Sequence, residues 1–309
     1  MPALAAWMAA AWVWALPPGF PTPLVPADNP MSAAKVALGE RLFSDPVLSG
    51  DGRVSCATCH DPARAFTDGR RTPRGAKGDR LPRNAPSLLD VAYAPALGWL
   101  DEGVTTLEAQ MRKPLFATTP IEMGLAGHEA EALSRLKADA AYASAFAAAF
   151  PDVPEPVSID NAIKAIAAYE RSLFSGRSAL DRYLYEDQRD ALSPAAKRGM
   201  DLFFSKRVGC AECHSGPAFA GPMRAVGFET VAPLHAVTGV SPGRFKVPGL
   251  RNIARTAPYM HDGSLPTLRA VVDFYNRGGG PGAELATPQM SAREKGDLVA
   301  FLEALSDER

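Results

Sequence analysis

Cys56-Ala57-Thr58-Cys59-His60 and Cys210-Ala211-Glu212-Cys213-His214 hold all four cysteines of this 309-residue chain. In each, two thiols separated by two residues can bond to the two vinyl groups of one porphyrin, and the histidine that follows can bind its iron. That is the attachment spacing of c-type haem. Two covalently bound haem c groups are therefore expected, on Cys56, Cys59 and His60 and on Cys210, Cys213 and His214. A C-x-x-C pair can also be a redox disulfide or part of a zinc site, and the two pairs could together offer four thiolates to one metal. Zinc, however, does not need a histidine directly after each second cysteine. A thioredoxin-like motif belongs in a βαβ pattern, which this sequence does not show.

The segments around the two motifs are alike. Ser32 can cap a helix carrying Val36, Leu38, Leu42 and Phe43 ahead of the first motif. Ser193, with Pro194 at the first helical position, opens a segment carrying Met200, Leu202, Phe203 and Phe204 ahead of the second. After each motif comes a closing helix, Asn161 to Phe174 and Ser291 to Leu305, the latter opened by a capping box of Ser291 and Glu294. A further helix is expected from Glu129 to Phe150, and another from Thr267 to Tyr275 before Gly278-Gly279-Gly280. The pattern predicts a mainly α fold: two cytochrome c-like haem domains in tandem, with long loops. The expected boundaries are an export signal and Pro-rich leader at 1–27, a first domain at 28–176 and a second at 177–309.

Met1 to Leu16 is almost wholly apolar and is followed by Pro17, Pro18, Pro21, Pro23 and Pro26. It is shorter than the ~20 residues of a membrane-spanning helix, so it reads as an export signal with no stable membrane span. Haem attachment to reduced thiols outside the cytoplasm agrees with a periplasmic location. A net charge of -1 without a basic run gives no nucleic-acid surface.

The second axial position of each iron decides its chemistry, because an open position admits peroxide or oxygen. Beyond His60 and His214 only His128, His235 and His261 remain, and none lies between Asp61 and Gly127. The first haem is therefore the expected reactive one.

Phe245-Lys246-Val247-Pro248-Gly249-Leu250-Arg251-Asn252 and Thr256-Ala257-Pro258-Tyr259-Met260-His261-Asp262-Gly263 carry a resemblance, as do Asn84-Ala85-Pro86-Ser87-Leu88, Leu107-Glu108-Ala109-Gln110 and Pro120-Ile121-Glu122-Met123-Gly124. In family order from about Asn29 to the C-terminus, the chain resembles the di-haem cytochrome c peroxidase and MauG superfamily, on its MauG/MbnH-like branch. That resemblance implies a second ligand to the C-terminal haem fourteen residues after the histidine of P-Y-x-H-D-G, methionine in peroxidases and tyrosine in MauG-like enzymes. Here it is Tyr275; Met223 and Met260 are the alternatives, and Tyr275 could instead pack with Leu268 and Val271. A phenolate stabilises oxidised iron, whereas a thioether raises the potential. The histidine that peroxidases place about sixteen residues after the first haem histidine is replaced by Ala76, so no reductive activation is expected.

By the same resemblance Glu122 covers the open face of the first haem as a general acid and base, with Gln110 and Pro114 lining that pocket. Trp99 would relay electrons between the haems, although Leu100 occupies the strict peroxidase register. Asn84, Thr256 and Pro258 would hold Ca²⁺. The implied activity is oxidation, with hydrogen peroxide, of an aromatic residue, a tryptophan above all, on a partner protein. The rival function is a peroxidase reducing hydrogen peroxide with electrons from a small electron-donor protein, and a third is a pure electron carrier with both irons six-coordinate.

Overall fold

The structure is a computed structural model that describes residues 12–227, 244–281, 283 and 285–308. Its helices are α1 (Ala33–Ser44), α2 (Cys56–Cys59), α3 (Leu107–Phe116), α4 (Glu129–Ala138), α5 (Ala140–Ala149), α6 (Ile159–Arg171), α7 (Ala179–Tyr185), α8 (Pro194–Phe204), α9 (Cys210–Cys213), α10 (Leu268–Asn276) and α11 (Ala292–Glu303). Among the described residues there are also short 3-10 turns and one antiparallel strand pair, β1 (Gly221–Ala225) with β2 (Arg244–Val247), its register broken between Gly221 and Arg224. The fold is mainly α, as the motif spacing predicts.

Local chemistry accounts for the helix starts. Ser32 accepts from the Lys35 amide, Ser193 from Ala196, Thr267 from Ala270, and Ser291 shares a capping box with Glu294. One expectation is corrected: Glu129 to Phe150 is two helices, not one. Asp139 breaks it, turning extended (φ −92°, ψ 108°) so that its carboxylate accepts from the amides of Ala141 and Tyr142. A short acidic side chain competes in this way with continuation of the helix beneath it. The first closing helix also starts and stops earlier than expected, at Ile159 behind a Ser158 cap and at Arg171.

The buried apolar side chains form two clusters, one drawn from Leu38 to Tyr169 and the other from Leu180 to Leu305. Each is built on the same crossing. α1 packs on α6 and α8 on α11, more extensively than any other helix pair described. At both crossings a glycine lets the backbones touch: a Cβ on Gly39 would lie 2.0 Å from the Ala165 carbonyl oxygen, and one on Gly199 2.0 Å from that of Asp297. An aromatic pair closes each contact, Phe43 with Tyr169 at 5.3 Å and Phe203 with Phe301 at 5.2 Å.

Between the clusters the chain is pinned from both sides. Ser175 donates from its amide and hydroxyl to Asp90 (3.0 and 2.5 Å), and the amides of Gly176 and Arg177 donate to Asp307 (3.2 and 2.8 Å). The Pro-rich stretch, expected as part of a leader, lies against this junction. Pro17 abuts Gly176, and the buried Phe20 meets Tyr93 at 5.6 Å and the Arg251 guanidinium at 4.7 Å. No helix among the described residues is long and apolar enough to cross a membrane.

Candidate active site

Each cysteine pair forms a single helical turn, and the histidine after it is the C-cap. His60 Nδ1 lies 3.1 Å from the Phe66 carbonyl oxygen and 3.0 Å from that of Pro86; His214 Nδ1 lies 3.0 Å from that of Phe219. Carbonyls can only accept, so Nδ1 carries the proton in both rings and the Nε2 lone pair is left for a metal. Burial lowers the pKa of both histidines, which favours this neutral form. The same burial pushes Cys56, Cys59 and Cys210 up to about 12. Such sites suit neutral thioethers and disfavour the thiolates that zinc requires. The cysteine pairs also belong to different halves, and among the described residues no three His, Cys, Asp or Glu side chains gather around one point. The donor set therefore fits two haem c groups.

Cys56, Cys59 and His60 line a cavity of about 320 Å³. Glu122, Trp99, Gln110 and Pro114 line it too, so the structure brings every candidate for the first site to one space. Gln110 and Pro114 are one turn apart on α3 and share a face. Pro114 also anchors the next loop: its carbonyl accepts from the Met123 amide (2.9 Å), while Leu115 accepts from Leu125 (2.9 Å). Glu122 is thereby held against the end of α3, and burial raises its carboxyl above the usual range. Gln110 Oε1 is buried without a hydrogen-bond partner among the described residues.

The loop carrying Ala76 docks on the Glu122 loop. The Ala76 amide donates to the Glu122 carbonyl (2.7 Å), and a Cβ on Gly75 would lie 1.9 Å from the Ile121 carbonyl oxygen. His60 is the one histidine lining the cavity among the described residues. His128 is exposed and pairs with Glu131 (3.0 Å), and His235 lies outside the described residues.

Trp99 is where the halves meet. Its indole N–H donates to the Asn84 carbonyl (2.7 Å), its own carbonyl accepts from the Lys246 amide (3.0 Å), and its ring stands edge-on to His261 at 6.5 Å. Leu100, the alternative by register, is buried and also lines the large cavity, but among the described residues no backbone hydrogen bond ties it to the C-terminal half. Beside Trp99 is a second cavity of about 70 Å³, lined by Asn84, Thr256 and Pro258 among others. The Asn84 side-chain amide donates to the carbonyls of Arg70 (2.9 Å) and Arg71 (3.3 Å), which leaves its oxygen as the free acceptor.

Around the second haem motif, Leu268 and Val272 of α10, the helix that carries Tyr275, join the apolar cluster against which Cys210 and Ala211 pack, and burial pushes the Tyr275 phenol up to about 12. Of the alternatives, Met260 lines the 70 Å³ cavity and Met223 is buried in β1. Sequence reasoning missed three residues that line the large cavity. Glu170, at the end of α6, is pushed up to about 8 by burial; Lys246 is pushed down to about 8 for the same reason; Arg83 has a buried Nε. Lys246 stands inside the Phe245 to Asn252 motif, yet only its unusual place among apolar neighbours hints at burial.

The comparisons with known proteins agree with this geometry. The sequence profile of the di-haem cytochrome c peroxidase family matches residues 33–189. The chain is 40% identical to the methylamine utilization protein MauG of Methylorubrum extorquens, over 92% of this chain and 81% of that protein. It is 38% identical to the cytochrome-c peroxidase IdrP1 of a Pseudomonas species, over 94% and 86%. Among solved structures, a MauG-like protein associated with microbial copper homeostasis superimposes with a TM-score of 0.90 at 40% identity, covering 96% of each chain. The di-haem peroxidase BthA of Burkholderia thailandensis follows at 0.72 and 27% identity, covering 90% of this chain and 87% of that one. With two haem-attachment motifs, one of them lining a cavity of about 320 Å³, and this similarity along nearly its whole length, the chain belongs to the di-haem cytochrome c peroxidase and MauG family and is a haem-dependent oxidoreductase acting with peroxide.

Proposed function

We propose that this enzyme works in the periplasm as a MauG-type oxidase, taking two electrons from a tryptophan of a partner protein and passing them to hydrogen peroxide, which with two protons becomes two waters. The haem on Cys56, Cys59 and His60 supplies the redox-active iron at which peroxide reacts. The chain's own residues manage protons and position. Glu122, in its desolvated pocket, takes the proton from one peroxide oxygen and returns it to the oxygen that leaves. Gln110 Oε1 accepts a hydrogen bond from the bound peroxide, and Pro114, with no N–H, adds no competing donor. Trp99 bridges the halves as the electron relay. Tyr275 and His214 would hold the second iron.

The observation that carries this reading is that the buried Tyr275 phenol sits on α10, whose Leu268 and Val272 share an apolar cluster with Cys210 and Ala211 of the second motif. A phenolate ligand suits iron that stays oxidised, whereas a peroxidase fed by an electron-donor protein needs a high-potential acceptor. The similarity to the MauG-like protein associated with copper homeostasis supports the same branch. The test adds stoichiometric hydrogen peroxide to the holoprotein mixed with periplasmic protein from the source cells, followed by peptide mass spectrometry. Oxygen-bearing tryptophan in one protein, absent without peroxide, is the expected result. Rapid steady peroxide turnover with a reduced small cytochrome, and no modified tryptophan, would instead establish the peroxidase.

Calcium belongs in the 70 Å³ cavity under this proposal. The Asn84 side-chain oxygen and the Thr256 and Pro258 carbonyls are hard donors of the kind Ca²⁺ takes, with water completing the shell. Metal analysis should find one calcium per chain and substantially less in Asn84→Ala; equal content in both proteins would remove Asn84 from the site.

A further inference from the structure

Lys246 is 6% exposed, at the junction of the two halves, and lines both cavities. Its ammonium makes one long hydrogen bond, to the Leu97 carbonyl at 3.3 Å, and no carboxylate among the described residues forms an ion pair with it. Arg83 lines the large cavity as well. Its Nε is buried without a partner, and one terminal nitrogen reaches the Pro82 carbonyl only at 3.5 Å. The nearest acid that Arg83 feels, Asp262, is engaged by Arg71 (3.6 Å) and by the Ser264 amide (3.0 Å). Of the three acids in the cavity wall, Asp101 is ion-paired with Lys113, while Glu122 and Glu170 are displaced toward the protonated form by burial, and among the described residues none of them pairs with Lys246 or Arg83. Of the other cations in the wall, Lys113 is paired with Asp101 and Arg74 is exposed, so Lys246 and Arg83 are left there without an ion-paired carboxylate among the described residues. Desolvated charge of this kind is sustained when an opposite charge arrives with good geometry.

We infer that Lys246 and Arg83 form a carboxylate-binding wall that takes the propionates of the first haem and fixes that edge of the cofactor beside Trp99. The inference rests on the first haem occupying the 320 Å³ cavity. Haem c brings two carboxylates, and the rest of its surface is apolar, as is most of the cavity wall. Lys246 is braced at both ends of its residue, since its amide donates to the Trp99 carbonyl (3.0 Å) and its ammonium touches the carbonyl of Leu97, two residues earlier on the same segment. A strand of the C-terminal half would thereby hold the cofactor of the N-terminal half, with the relay tryptophan between them. Lys246 and Arg83 act here as positioning residues, tuning the iron through the propionates.

The holoprotein variants Lys246→Met, Lys246→Arg and Arg83→Gln test this by resonance Raman of the propionate bending modes and by spectroelectrochemistry. In Lys246→Met one propionate band should shift and the midpoint potential of the first haem should fall, because an uncompensated carboxylate favours ferric iron. The second haem should not change, and Lys246→Arg should restore both readings toward the parent. Arg83→Gln should move a propionate band independently, which keeps the test decisive if the methionine variant does not fold. Parent-like bands and potential in fully haem-loaded Lys246→Met, or in Arg83→Gln where the former is not obtained, would overturn the inference. A potential that tracks chloride concentration at constant Raman bands would overturn it too, by assigning the wall to a free anion. Parent protein without stoichiometric haem at Cys56 and Cys59 would defeat the underlying cavity reading instead.

Discussion

Glu122→Gln slows the reaction of peroxide with the ferric holoprotein by about 10²- to 10⁴-fold, the usual contribution of a positioned acid and base, while both haem spectra stay intact. Glutamine keeps the shape of the side chain, so the loop tied to Pro114 and Leu115 has no reason to move. What disappears is a group able to hold a proton in one step and surrender it in the next. The pH dependence gives the sign. Burial raises the Glu122 carboxyl, so the deprotonated form that receives the first proton is populated only above a higher pH than for an exposed glutamate. The parent's rate constant should climb as pH rises through that range, and stopped-flow measurements on Glu122→Gln should lose this limb. A variant as fast as the parent, or one that keeps the limb, would show that the proton moves through another group, Glu170 being the other acid of the cavity wall whose carboxyl burial raises.

The second large effect is at Tyr275. Tyr275→Met should raise the midpoint potential of the second haem, a change on the order of 0.2 V within the ~0.8 V that axial ligands span. Tyr275→Phe should leave that haem five-coordinate or water-ligated, with an altered spectrum. Both variants should lose oxidation of the partner's tryptophan, and the methionine form should gain peroxide turnover with a reduced cytochrome. The physical basis is charge. A thioether is a neutral soft donor that favours reduced iron, and a phenolate is an anion that favours oxidised iron. Burial pushes the free phenol up to about 12, so at neutral pH it gives up its proton only to a metal. An unchanged spectrum in Tyr275→Phe would return the ligand role to Met223 or Met260.

What could be seen from the residues alone was whatever depends on neighbours along the chain. The C-x-x-C-H spacing set the number of haems and their anchoring cysteines and histidines, since one porphyrin edge spans two thiols a helical turn apart. The serine and threonine caps marked helix starts for the same reason, acting over three residues. Even so, the local rule at Asp139 was missed, because an apolar run on both sides outweighed one capping side chain. Tertiary structure decided what depends on distant segments. It placed the Glu122 loop against α3, laid the Ala76 loop over it, and brought Asn84 from one half to Thr256 and Pro258 of the other. It also buried Lys246, Arg83 and Glu170 in the wall of one cavity, a matter of solvent exclusion and missing counter-charge that no spacing in the sequence encodes.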